Sequence, residues 1–231
     1  MSVMDRFTVN VTARKIRKRN LKLKFWSTVA LICITILLIF YAFVHFANQL
    51  GNFTVKIQDK QHGGIALCET IDFANPTSYL AADKIDAMDN IAEESIPEDV
   101  DLVDGAHNGE NYIAITFYLK NVSDDVVDYQ ADLKILQVTK EADEAIRVKV
   151  YKNGEDTLYA KPQKGTLTPE PNTTAFHSID KVLSQTNTNF EPGEVDKYTV
   201  VIWLEGNDPE CIDNIIGGRV RLAMHFKVKK D

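Results

Sequence analysis

Residues 25–46 read FWSTVALICITILLIFYAFVHF, 22 positions without Asp, Glu, Lys or Arg. A helix of that length is roughly 33 Å long at 1.5 Å per residue, which matches the thickness of a bilayer core. The run therefore predicts one N-terminal transmembrane helix. A cleaved signal sequence is the alternative reading. Such segments carry an apolar stretch of about 7–15 residues closed by an Ala-x-Ala site, and no Ala-x-Ala follows the longer run found here.

Beyond residue 46 the hydrophobic period drops to two. In Arg219–Val228, Val220, Leu222, Met224, Phe226 and Val228 alternate with Arg219, Arg221, Ala223, His225 and Lys227. That is the pattern of a half-buried strand, and it places His225 on the outward, solvated face. Tyr112–Lys120 carries Ile113, Ile115, Phe117 and Leu119 on one face, and Ala145–Lys152 carries Ile146, Val148 and Val150. Asn153-Gly154 follows, then Thr157–Ala160, which reads as a hairpin because Asn-Gly supplies the left-handed backbone of a tight turn. Phe53–Ile57, Gly64–Thr70, Tyr129–Val138 and Lys197–Leu204 complete about eight strands, with Pro192-Gly193 as a turn before Lys197. Thr77–Met88 and Ser178–Gln185 are expected as short helices.

The expected fold class is mainly β: an antiparallel, jelly-roll-like β-sandwich with one or two short helices, preceded by one transmembrane helix. The domain organisation is a basic cytoplasmic tail (1–24), the span (25–46) and an exported acidic domain (47–231) close to the membrane.

Charge sharpens this division. Of 26 Lys and Arg residues, eight lie in residues 1–24, and of 33 Asp and Glu residues only Asp5 does. Residues 47–231 then hold 18 basic and 32 acidic residues, a net charge of −14. Basic flanks stay in the cytoplasm, so the rule keeps residues 1–24 inside and exports the domain, with the cluster at 14–24 near anionic headgroups. An acidic domain is poorly suited to nucleic acid, whose phosphates select Lys and Arg. It favours cationic partners or calcium.

The candidate chemistry is sparse. No His-Glu-x-x-His, Gly-x-Ser-x-Gly or phosphate-cradling Gly-rich loop is present, and His62, His107, His177 and His225 share no ligand spacing. The expectation is a protein that is not an enzyme. Cys33 lies within the span, whereas Cys68 and Cys211 either form one disulfide or remain two buried thiols. Residues 83–104 hold nine acids against Lys84 alone. Within and after that stretch, Asp99, Asp101, Asp104 and Glu110 near Gly105 offer hard oxygen ligands for calcium, although the spacing is not that of an EF-hand. The plainer reading is a solvated acidic loop. Trp203, Asp208 and Glu210, in the apolar-acidic stretch Trp203–Ile216, form a candidate interaction surface; a strand Trp is otherwise a core residue.

Ala47–Val55, the strand Tyr112–Asn121, Phe190-Glu191-Pro192-Gly193-Glu194 before Tyr198–Leu204, and the closing Gly217-Gly218-Arg219–Phe226 resemble the camelysin/TasA family of Bacillota surface and matrix proteins. The segments YTVVIWLEGNDPEC and IIGGRVRLAMHF more closely resemble uncharacterised single-pass surface proteins of Bacillota. The resemblance implies a jelly-roll domain at the cell surface; separately, open strand edges would allow a protein partner or self-assembly by strand addition. It transfers no metallopeptidase activity, because the chain has no matching zinc motif. The expected function is a membrane-anchored extracytoplasmic structural or binding module. Two alternatives are a membrane subunit of a secretion, conjugation or envelope-assembly complex, and a surface metallohydrolase with a noncontiguous site.

Overall fold

The computed structural model describes residue 22 and residues 24–42, 52–58, 64–166 and 168–229. Most of the basic tail, the end of the expected span and His62 lie outside the described residues. The chain divides into two units, Met1–Leu50 and Gly51–Asp231. In the first, Lys24–Ala42 is one apolar helix of 19 residues, long enough to cross a bilayer.

The second unit is mainly β. Its twelve described strands are β1 (Phe53–Ile57), β2 (Ile65–Cys68), β3 (Tyr79–Ala81), β4 (Gly105–Ala106), β5 (Tyr112–Asn121), β6 (Val127–Thr139), β7 (Ile146–Lys152), β8 (Glu155–Ala160), β9 (Thr174–Ala175), β10 (Lys181–Phe190), β11 (Val195–Leu204) and β12 (Arg219–Lys229). They form a five-stranded sheet ordered β10-β6-β12-β1-β3 and a seven-stranded sheet ordered β2-β5-β11-β7-β8-β9, with β4 also paired to β5. If β2, β3, β4 and β9 are set aside and the other eight are numbered in chain order, the sheets read 6-3-8-1 and 2-7-4-5. That is the strand order of a jelly roll. Both sheets are mixed rather than wholly antiparallel: β8 runs parallel to β9, and within the eight strands one pairing departs from the jelly roll. β1 runs parallel to β12, with Phe53 opposite Leu222 and Ile57 opposite Phe226.

The core fills the space between the two sheets, as the alternation predicts. Phe53 and Val55 of β1, Leu222, Met224 and Phe226 of β12, Ile115, Phe117 and Leu119 of β5, and Tyr198 and Val200 of β11 are all buried within it. The Phe117 and Tyr198 rings stack at 5.7 Å, and Phe226 meets Phe117 edge-on at 5.9 Å. At one corner Asn121 is fully buried. Its Nδ2 donates to the Asp125 and Phe190 carbonyls, and its Oδ1 accepts from the Ser123 amide and hydroxyl.

Two expected helices are strands instead. In place of a helix at Thr77–Met88, Tyr79–Ala81 pairs antiparallel with β1, Leu80 opposite Val55, and so covers an edge that would otherwise be bare. In place of a helix at Ser178–Gln185, β10 pairs with β6, and a register shift between Lys181 and Leu183 buries Val182 and Leu183 together. That bulge erases the period of two. Helical geometry in this unit is limited, among the described residues, to three single-turn 3₁₀ segments.

His225 is also corrected. It is only 8% exposed, because Lys56 of β1 and Asp132 of β6 flank it on the neighbouring strands. Burial, aided by Lys56 and Lys134 and opposed by Asp132, lowers its pKa from 6.5 to about 4. Both ring nitrogens lack a hydrogen-bond partner.

Candidate functional site

The outer face of the seven-stranded sheet is covered rather than solvated. Trp203 of β11 lies on it, opposite Arg147 of β7. Trp203 is fully buried, which corrects its reading as an exposed interface anchor. Ile96 and Val100 from the acidic segment pack on it with Ala114 and Val201, and Ile91, Tyr112, Tyr151 and Leu158 surround them. Its indole Nε1 donates to Glu205 Oε2 at 3.0 Å.

The acidic segment is thus an apolar cover with a charged rim. Lys149 Nζ reaches Glu93 Oε1 at 2.9 Å, Lys197 Nζ donates to the Asp101 carbonyl, and the His107 ring nitrogens face the carbonyls of Gly105 and Val100 at 2.7 and 2.9 Å. The four residues expected to hold calcium are not brought together. Asp99 and Glu110 are exposed, Asp101 sits in a 3₁₀ turn with its charge near Tyr151, and Asp104 accepts from the Tyr118 hydroxyl at 2.6 Å. Burial and Asp104 push the Tyr118 pKa up to about 12.

Carboxylates converge elsewhere. Glu170, from the loop between β8 and β9, meets Asp208 and Glu210, from the connection after β11. One oxygen of each lies within 4.8 Å of the others, and among the described residues this is the one such cluster of metal-ligating side chains. Glu170 and Asp208 are each 5% exposed, and Glu210 is half-buried. Arg147 is the cation of the group. Its Nη1 lies 2.6 Å from Asp208 Oδ2, as an ion pair not aligned as a hydrogen bond, and its Nη2 lies 3.9 Å from Glu170 Oε2. Backbone amides add two contacts: Glu210 N to Asp208 Oδ1 at 2.8 Å and Lys164 N to Glu210 Oε1 at 3.1 Å. A hydrogen bond to Asp208, then burial, raise the Glu210 pKa. Asp208 and Glu210 are therefore half of a buried charge cluster, not a free surface patch. Sequence reasoning missed Arg147 and Glu170, which lie far away along the chain.

The cysteines adopt the free-thiol reading. Cys68 is buried at the end of β2, with Sγ beside Thr70 Oγ1 and the Asn75 carbonyl at 3.7 and 3.6 Å. Cys211 is half-buried, and burial, Asp208 and Glu205 raise its pKa.

The outer face of the five-stranded sheet has the opposite charge from the domain as a whole. Lys56, Lys134, Lys181, Lys227 and Lys229 share it with Asp128 and Asp132, five lysines against two carboxylates within the strands. Asp132 is held by Ser184 Oγ at 2.7 Å and Lys181 Nζ at 3.4 Å. Lys229 Nζ donates to Thr186 at 2.7 Å.

No protein-family model and no curated protein matches the chain. Among solved structures, a beta-glucosidase from Kluyveromyces marxianus in complex with glucose is similar at TM-score 0.24 and 13% identity, over 73% of this chain and 16% of that chain. Its selenomethionine-labelled form gives TM-score 0.26 and 13% identity, over 76% of this chain and 18% of that chain. The chain spans less than a fifth of either enzyme, and a likeness this distant carries no argument about activity.

Proposed function

We propose that the protein is a single-pass membrane protein that holds its β-sandwich outside the cytoplasm, at a bacterial cell surface, as a structural or binding module. One observation carries this reading. Lys24–Ala42 is apolar yet, among the described residues, none of it is buried: Leu31, Leu37, Leu38, Ile39 and Phe40 are each 63–66% exposed. So large an apolar surface is unfavourable in water and favourable in lipid. The basic residues before the helix support a cytoplasmic N-terminus.

The module's contact surface is the basic face of the five-stranded sheet, which suits an anionic partner. The test of the whole reading is fractionation of cells expressing the full chain, followed by protease treatment of intact protoplasts. The chain is expected to remain with membranes through alkaline extraction and to lose its sandwich domain to external protease. A protected domain overturns the orientation. Recovery of the domain from the medium with a new N-terminus replaces the anchor with a signal sequence.

A further inference from the structure

We propose that Glu170, Asp208 and Glu210 form a binding site for a divalent, oxygen-preferring cation of the calcium class, which clamps the β8–β9 loop to the connection between β11 and β12. The argument begins with charge. Three carboxylates face one guanidinium, and the next cation, Lys164, is paired with Glu141, so the ionised group itself carries two negative charges in excess. Two of the three are 95% buried, where uncompensated charge is costly.

A second, independent observation is Glu170 itself. Its side chain accepts no hydrogen bond among the described residues; Oε1 is buried without a partner, and the one charge contact is the 3.9 Å approach of Arg147 to Oε2. Asp143 shows what a satisfied buried carboxylate looks like in this domain. It is 6% exposed and closely paired with Lys161. Glu170 has no such lysine. It is aimed at two other carboxylates instead.

The spacing fits an ion. Oxygens about 2.4 Å from a common centre are at most about 4.8 Å apart, and the three ligand oxygens meet that limit. An all-oxygen set carried on loops suits calcium, which accepts irregular geometry and completes its shell with water. Glu210 is half-buried beside exposed Lys164, Gly165 and Pro209, so the ion has an entry side. Arg147 stays as the outer partner of Asp208.

The competing account is a proton shared between Asp208 and Glu210. The two are separated with the full chain in detergent, using calcium itself and terbium as a luminescent substitute. Calcium is expected to raise the midpoint of thermal unfolding relative to EDTA. Glu170→Gln and, at the more exposed position, Glu210→Gln are each expected to weaken terbium binding by more than about tenfold. Asp101→Asn with Asp104→Asn is expected to leave both responses intact. A wild-type protein that responds to neither ion overturns the site in favour of the shared proton. So does an undiminished response in a folded Glu170→Gln or Glu210→Gln protein.

Discussion

The hydroxyl of Tyr129 donates to the carboxylate of Asp196, joining β6 of one sheet to β11 of the other through the middle of the sandwich. The Tyr198 hydroxyl is 2.7 Å from that of Tyr129, Asn153 Nδ2 donates to Asp196 Oδ1 at 2.6 Å, and Lys152 Nζ approaches Asp196 Oδ2 at 3.3 Å. Burial, reinforced by Tyr198 and Asp196, drives the Tyr129 pKa strongly upward, so the phenol is a permanent donor. Tyr129→Phe should cost about 1–3 kcal/mol in urea unfolding, since it strips a buried carboxylate of one donor. In an Asp196→Asn background the same change should cost less. Strict additivity would show that the two groups do not act as a pair.

Asn121 holds the turn after β5 and the end of β10 with one side chain. Asn121→Ala should destabilise by about 2–3 kcal/mol, because the Asp125 and Phe190 carbonyls and the Ser123 amide lose their partner. Chemical denaturation checks this, and a change below about 0.5 kcal/mol would mean that water replaces the amide freely.

His225 predicts an acid-sensitive fold. Its folded pKa of about 4 lies below the ordinary 6.5, so between those values the unfolded chain binds a proton that the native chain refuses. Stability is therefore level above pH 6.5 with respect to this group, and falls as pH drops toward 4. The upper bound is about 3 kcal/mol. His225→Gln should flatten the difference between unfolding curves at pH 7 and pH 5. An unchanged difference would assign the acid sensitivity to other groups.

The acidic segment should behave as part of the core. Val100→Ala removes apolar volume beneath the cover on Trp203 and is expected to cost about 1–2 kcal/mol. It should also open residues 91–104 to protease before the rest of the domain. Uniform digestion would show that cover and sandwich unfold as one.

The basic face predicts salt-sensitive binding to a polyanion. With the eight basic residues of 1–24 changed to Gln, so that the tail itself does not bind, the chain should be retained on immobilised polyphosphate at low ionic strength and released as salt rises. Lys134→Glu with Lys227→Glu should abolish retention. Equal retention with and without these two changes would place the contact elsewhere.

The strands were legible wherever alternation ran unbroken, as in Tyr112–Asn121 and Arg219–Lys229. They were hidden where a bulge buried Val182 beside Leu183, and where β4 and β9 span two residues each, too few to show a period. The candidate site was legible only in part. Asp208 and Glu210 stood out by local composition, but Arg147 and Glu170 reach them from separate elements, and no local pattern records that meeting. Alternation also assigned His225 to a face correctly while saying nothing of Lys56 and Asp132, which flank it on the neighbouring strands.

The parallel pairing of β1 with β12 bears on how the domain resists tension. Because the strands run in the same direction, the chain enters β1 at one end of the ladder and leaves β12 at the other. A pull between those two points slides the strands past each other, and the ladder bonds from Phe53 to Ile57 carry the load together. An antiparallel partner would open like a zipper, one bond after another. A domain tethered through residues just before β1, and loaded beyond β12, would thus meet force in the direction in which this pair is hardest to break.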